Sequence, residues 1–535
     1  MKRLTFLLVL FSLWEISYLE AQFNYSIDLV PLEIENLVGL HSYAFAIHDG
    51  KWVVIGGRRD GLHARQPFNA FPQSSNNTDI LVIDPQNQEF WSSSVEVLPL
   101  GLREQLQSTN MNFYQDGEHL IIIGGYAYSP TANDHITFPK LAVLELPELV
   151  DAIINGSDIS PFFSQIHDQR MAVTGGQLGK LGDYFYLVGG HRFDGRYNPH
   201  GPNHGPGFFQ EYTNQIRKFR LNQGDGNPVI EDYSAITDAI HLRRRDYNLV
   251  PQILSDGSEG YMISSGVFQI NENLPFLYPV YISEDDYFPI PEFNQYLSNY
   301  HSPKVGLYDS NTGEMHNLFF GGISQYYYEN GELVQDDLVP FVNTISLVTR
   351  HSDGSHEEFA LPIEMPGLRG ASAEFIVNPD LPQSQNKVIK LSEIEEEEFL
   401  LGYIYGGIYS SIRNAFATNQ THLTKADDII YEIRLKRDEI SSVFGPINGS
   451  NPYSFKIYPN PAEDKFIVSF PLESPRKVDY FITDMQGKIV EMGYIKTIAG
   501  ENSLEFRPET SSSQLLFTLI FENKYYVSET ILIRR

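Results

Sequence analysis

The sequence predicts an all-β chain: about six copies of one four-stranded unit, then a smaller β domain of different pattern. Three observations carry this. A short apolar, β-branched run that stops at a glycine pair recurs along the chain, at Trp52–Gly57, Leu120–Gly125, Tyr186–Gly190, Leu318–Gly322 and Tyr403–Gly407, with Tyr261–Gly266 as a variant ending Ser-Gly. Another apolar run and a turn stand before it, as in His41–Gly50 and Met111–Gly117. No stretch of useful length shows helical periodicity.

Each element of the unit has its own signal. Asp-Gly between two hydrophobic runs is a hairpin turn, because both central positions favour positive φ, so the first two strands pair tightly. Two residues without Cβ at the end of the second strand suit a place where neighbouring backbones crowd together. A long polar segment follows, then a third strand: Thr78–Asp84, Lys140–Leu146, Gln215–Leu221, Thr344–Thr349 and Asp428–Leu435. A fourth is clear in Glu89–Leu98. Repeated four-stranded units of this kind make a β-propeller, here with six blades over residues 22–440; residues 280–300 are the one stretch left over for a degenerate seventh. The last unit supplies only three strands of its own, and an open ring would expose two sheet edges. Tyr25–Glu33, ahead of the first unit, is expected to supply the missing outer strand.

The repeats resemble Kelch repeats over roughly residues 37–438. Gly56, Gly57 and Trp91 match the diglycine and the later aromatic of that pattern. The fourth unit departs from it with Ser265-Gly266, and most units lack the Trp. The resemblance implies a propeller whose function resides in its loops.

Residues 1–21 begin Met-Lys-Arg, continue with a short apolar core from Leu4 to Trp14 and end at Ala21, the make-up of a secretory signal peptide. No segment reaches transmembrane length. The chain has no cysteine, so disulfides, thiolate nucleophiles and Cys-ligated metals are excluded, as is the thioether-linked tyrosine of the copper radical oxidases that share Kelch-like propellers. A net charge of −30, carried almost wholly by the propeller, argues against nucleic acid as partner. The acidic run Glu393–Glu398 reads as a solvated loop.

After a linker at 441–453, rich in Gly, Ser, Asn and Pro, residues 454–535 change character. They open on Tyr458-Pro459-Asn460-Pro461, carry an Asp484-x-x-Gly487-Lys488 turn, and alternate apolar and polar residues as a two-sheet sandwich does. Leu515–Phe521 reads as the final strand, before a basic end at Arg534-Arg535. This region resembles the type-IX secretion C-terminal sorting domain of Bacteroidetes. The resemblance implies the type-IX machinery as partner and a secreted or cell-surface destination.

In an up-and-down blade, the connection after the second strand and the approach to the first share one face. The segments after the glycine pairs (58–77, 126–139, 191–213, 323–342, 408–426) are long, and long loops gathered on one face commonly carry function. Candidate ligand contacts there are Arg58, Arg59, His63, His191, Arg192 and Arg413, with Arg196, Tyr326 and Tyr327. The approaches to the inner strands add Arg244, Arg245, Tyr300, His301 and Arg369. Guanidinium forks bind carboxylates and phenol rings stack on sugars, so a carboxylated or hydroxyl-rich ligand is expected. The competing structural role is that these arginines pair with neighbouring blades and that Tyr326–Tyr328 cover the loop's own underside. His200 and His204 have metal-like spacing, but no helix or carboxylate completes a site. Asp84 and Asp309 sit in ordinary turns. No nucleophile elbow or phosphate loop is present, and no cofactor is called for. The leading reading is a binding propeller for a glycan or protein; the alternative is a carbohydrate-active enzyme (a sugar-acid epimerase or mutarotase resembling Kelch-type sialate epimerases, a lyase or a hydrolase), with His63, His191 and His301 as candidate acid–base groups. A structural adhesin is a third possibility.

Overall fold

The computed structural model describes residues 23–200, 205–223, 227–437, 447 and 449–534. The predicted signal peptide, His204 and most of the predicted linker lie outside them. Among the described residues the chain is all-β apart from short helical turns and two helices, Leu100–Leu106 and Leu146–Ile154.

Residues 25–437 form six sheets on a common four-stranded antiparallel plan, the fifth gaining Ile389–Lys390, paired parallel to its inner strand. The first runs Ala44–His48, Lys51–Ile55, Asp79–Asp84 and Glu89–Ser94, in chain order from inner to outer strand. The other inner strands are Asn112–Asp116, Gln177–Leu181, Asn248–Ile253, Lys304–Asp309 and Glu374–Val377. Val280–Ile282 and Tyr287–Pro289, in the stretch open to a seventh unit, are the outer strands of the fourth sheet. The sixth sheet has three strands of its own and is completed by Tyr25–Leu32, which pairs with Ile430–Arg437 from Tyr25–Arg437 to Leu32–Ile430.

The sheets fan around an axis because each buries both faces against its neighbours. Separate apolar clusters fill the six gaps: Val53 and Val82 meet Leu120 and Ile122 between the first two sheets, and Trp52 and Val54 meet Tyr403 and Tyr405 where the sixth meets the first. The other gaps hold equivalent clusters. The glycine pairs splice one sheet to the next. Gly56 has φ +67°, and a Cβ on it would stand 2.7 Å from the Ser108 carbonyl oxygen of the second unit, while the N–H of Gly57 donates to that oxygen at 2.8 Å. The N–H groups of Gly125, Gly190, Gly266 and Gly407 make the same step onto Val173, Arg244, Asn299 and Leu40.

Beyond the propeller lie a three-stranded sheet (Lys456–Tyr458, Phe466–Leu472, Gly500–Phe506) and a four-stranded one (Ile489–Lys496, Lys477–Asp484, Gln514–Phe521, Tyr525–Leu532). They enclose Phe466, Val468, Phe470, Ile482, Leu515 and Phe517. The last strand is Tyr525–Leu532, one beyond the strand expected to be final, because a turn at Glu522 and Asn523, both with positive φ, folds the chain back on Gln514–Phe521. Asn460 locks the Tyr458–Pro461 motif onto that strand, donating to Thr530 O (2.8 Å) and accepting from Leu532 N (3.0 Å). Asp484 Oδ1 accepts from the N–H groups of Gln486 and Lys488, which sets its turn.

This sandwich is seated on the fourth sheet. Tyr526 is buried 4.8 Å from the Tyr278 ring, and its hydroxyl donates to Gln269 at 3.2 Å. Gln269 in turn donates to Asn523 O (2.6 Å), and Phe481 and Ile520 join the apolar cluster of Ile240 and Leu242.

Candidate functional site: the axial channel

The approach to each inner strand and the exit from the following glycine pair lie side by side, as the sequence predicts. His41 pairs with Arg58, Thr109 with Tyr126, Thr174 with His191 and Arg245 with Val267. In the fifth unit Tyr300 N donates to Ile323 O, and in the sixth Ala371 pairs with Ile408. The long connections after the second strands therefore share one face; three of them carry a two-stranded ribbon, and the sixth a three-stranded sheet completed by Leu368–Ala371.

On this face the connections knit to each other across the axis. The ring of His63, from the first unit, stacks on Phe71 (4.7 Å between centroids) and meets Tyr197 of the third unit (4.6 Å) and Phe416 of the sixth (5.5 Å). Tyr197 and Phe416 come from opposite sides of the ring and approach to 6.4 Å. Burial pushes the His63 imidazole down to about 4, aided by the guanidiniums of Arg245 and Arg58, so it is neutral at neutral pH.

Most of the other sequence candidates are occupied where they stand. Arg58 is buried, donating to both Asp60 oxygens and to Asn76 (3.0 Å). Asp60, against Arg58 and His41, is held at about 2 despite its burial. Arg59 donates to Asn77 and Asp79, and Arg192 to Asp194. Arg244 is fully buried between Phe276 and Tyr278 and donates to His241 O, Ser265 O and Tyr278 O. Arg369 Nη1 donates to both carboxylate oxygens of Asp427 (2.7 and 2.6 Å), and Arg413 lies over Tyr327 at 4.2 Å. Tyr326 is buried against Tyr296, and His191 is buried with Nδ1 on Gln210. Arg196 lies on the same connection as Tyr197. The physical reason is common to all: the connections are long enough to form small cores, and buried cations need partners.

Beneath the connections the six units are tied by a closed ring of backbone hydrogen bonds, one residue from each. Ser42 N donates to Ser372 O, Ser372 N to His301 O, His301 N to Asp246 O, Asp246 N to Gly175 O, Gly175 N to Asn110 O, and Asn110 N back to Ser42 O, at 2.7–3.2 Å. All but His301 have positive φ, which suits the Ser, Asn, Asp and Gly found there.

On the far side of this collar the inner strands enclose a channel of about 700 Å³, within the range of small-molecule sites. Phe45, Phe113, Leu178, Leu249, Val305 and Phe375 contribute to its wall. At the collar end Glu374 is buried with its Oε1 3.0 Å from His301 Nε2, and Lys304 Nζ lies 3.2 Å from the same nitrogen and 3.4 Å from Glu374 Oε2. Burial opposes ionisation of Glu374, but Lys304 and His301 outweigh it and hold the carboxyl below the usual range. Asp246 also faces the channel, its carboxylate paired with Arg245, whose Nε donates to Tyr212 OH at 3.1 Å. Tyr300 packs by Phe268 next to Arg245.

Of the predicted contacts, His301 alone lines the channel, with Arg245 and Tyr300 just behind the collar. Lys304, Glu374 and Asp246 were missed. Each stands within three residues of a collar position; for Asp246 and Glu374 a left-handed Asp or Ser is the signal that leads to them, whereas Lys304 follows His301, which carries no such mark. Among the described residues no group of three or more His, Asp or Glu side chains could hold a metal, and no helix is long and apolar enough to cross a membrane.

Comparison with known proteins bears mainly on the C-terminal region. Two solved structures show weak likeness in fold. The structure of YjhT is 10% identical, with a TM-score of 0.41, covering 76% of this chain and 98% of that one. A glycoside hydrolase family 43 arabinoxylan arabinofuranohydrolase from Bacillus subtilis, in complex with cellotetraose, is 10% identical with a TM-score of 0.29, covering 94% and 96%. No curated protein matches the chain significantly. Residues 456–513 match the family described as the secretion system C-terminal sorting domain. That domain marks the chain for export, to the cell surface or into the medium.

Proposed function

We propose that this chain is an exported Kelch-type propeller, delivered by a type-IX system of the Bacteroidetes kind, that binds a glycan in its axial channel. The observation that carries the reading is the joining of an apolar and aromatic wall to a polar end holding Lys304, His301 and Glu374. Sugars are bound in this way, by stacking along the ring and hydrogen bonds to hydroxyls. A folded protein partner would need a broad face, and the face with long connections is largely committed to its own packing.

The test compares wild type with the double variant Lys304→Met/Glu374→Gln on a glycan array and by calorimetry. Binding by the wild type that the double variant loses supports the reading. No glycan bound, or equal binding by both, overturns it; light scattering then tests the adhesin reading.

The enzymatic alternative has one observation in its favour. His301 and Glu374 are in hydrogen-bonding contact beside a lysine, an arrangement able to move a proton. Anomeric interconversion or product release followed by NMR, lost in His301→Gln, would favour it over binding alone.

A further inference from the structure

We propose that the ligand enters the channel from the face of tight hairpin turns, opposite the long connections, and that an uncharged, hydroxyl-bearing sugar reaches the closed end. This deepens the glycan reading and rests on it for the ligand class only.

Four observations locate the way in. The exposed residues of the channel lining are Asp49, Gly50, Pro379, Asp380 and Lys387, and all stand at the hairpin end. Asp49 and Gly50 form the turn after the first inner strand; the other three lie on the longer segment that leaves the sixth and borders the mouth, reaching the fourth sheet where Asn386 Nδ2 donates to Gln252 O and Gly260 O. At the opposite end the collar of six peptide groups narrows the channel. Above the collar, His63, Tyr197 and Phe416 join connections from three units over the axis. Finally, the C-terminal sandwich rests on Ala239, Gln269 and Tyr296, which lie on the collar side, so it leaves the hairpin face open.

The chemistry at the closed end selects the ligand. Lys304 is matched by Glu374 and Asp246 by Arg245, so no net charge is left there to hold a carboxylate. Asn112 lines the same channel, is 1% exposed and donates from Nδ2 to Ile123 O and Val173 O, yet its Oδ1 has no partner among the described residues. That Oδ1 faces Gly176 rather than the open channel, so the choice of an uncharged ligand rests on the charge balance of the closed end.

The absence of cysteine allows a test that needs no ligand. Phe45→Cys places one thiol on the channel wall of the full chain, and N-ethylmaleimide reports its accessibility. Adding Asp380→Trp and Lys387→Trp, both at exposed positions, is expected to slow labelling by about tenfold or more, as burying a thiol does. Adding Tyr197→Ala and Phe416→Ala, which thins the opposite cover, is expected to leave the rate within about twofold. Thermal melts confirm that each variant folds. If thinning the cover speeds labelling while the tryptophans do nothing, the proposed route is wrong. If labelling follows the prediction but no glycan binds, the route stands and the glycan reading fails. For charge, an array comparing neutral with sialylated or uronate-containing glycans should retain the neutral ones; binding confined to acidic glycans overturns the assignment at the closed end.

Discussion

Gly487 of the sorting-domain turn is pressed against Asp238 of the propeller: a Cβ on the glycine would stand 2.7 Å from the Asp238 Cα. Its φ is +73°, and its carbonyl accepts from Ala239 N at 3.3 Å. The same glycine therefore serves the tight turn fixed by Asp484 and the seat of the domain on the propeller.

Gly487→Val should unseat the sandwich without unfolding the propeller. A β-branched residue at positive φ costs about 1–3 kcal/mol, and the overlap with Thr237 and Asp238 adds to it. Hydrogen exchange should rise at Ala239 and around Gln269 and Asn523, with the inner strands unchanged. Protection equal to wild type at Ala239 would show that the contact holds nothing in place.

Glu358 predicts a pH dependence of unusual sign. Its carboxylate accepts from Tyr296 N (2.6 Å) and Leu297 N (2.9 Å), yet burial pushes the group up to about 8. The fold thus binds a proton at Glu358 that the unfolded chain has already released above the usual glutamate range. Stability from this group is full below the unfolded glutamate value and is lost as pH rises to about 8, roughly 3 kcal/mol of it between pH 5.5 and 8.5. Urea midpoints at about pH 5.5 and 8.5, which span most of the interval between the unfolded and folded values, should show the loss in wild type and a flatter dependence in Glu358→Gln.

The N-terminal strand should be indispensable. Without Tyr25–Leu32, the edge of Ile430–Arg437 is open and the apolar cluster between the fifth and sixth sheets loses Phe23 and Ile27. Deleting residues 23–32 should lower Tm by at least about 5 °C and promote aggregation. An unchanged melting temperature would mean that the sixth sheet closes by other means.

These contacts differ in how far the sequence disclosed them. The glycine pairs, the Asp-Gly hairpins and the N-terminal closing strand all rest on local patterns, and they stand where the pattern placed them. Ribbons within the long connections were missed because Tyr126–Ser129 and Tyr326–Glu329 are short and rich in polar residues, with no alternation to mark a strand. The site was less legible still. Arg58, Arg244 and Arg369 have the composition of a binding surface, but only the fold reveals that Asp60, Tyr278 and Asp427 already engage them. Lys304 and Glu374 are 70 residues apart and meet only because the fifth and sixth sheets are neighbours on the ring.

Lys304 and Glu374 also allow the sharpest test of the channel's electrostatics. In wild type the Glu374 carboxyl is held below its ordinary range, so its contribution to stability is present above the unfolded glutamate pKa and disappears as pH falls through the lower folded value. Lys304→Met removes the strongest force holding it there. Burial then dominates, the folded pKa rises above the unfolded one, and the pH dependence at this site reverses: the variant gains stability as pH falls and the carboxyl takes up a proton. The cost at neutral pH should be about 3–5 kcal/mol, that of leaving one member of a buried ion pair alone. Adding Glu374→Gln should recover most of the loss by removing the stranded charge. Denaturant unfolding of wild type and the single and double variants at pH 7 and pH 4 measures each step. A single variant as stable as wild type at pH 7 would mean that water, not Lys304, solvates Glu374, and the closed end of the channel would then be wetter than its burial indicates.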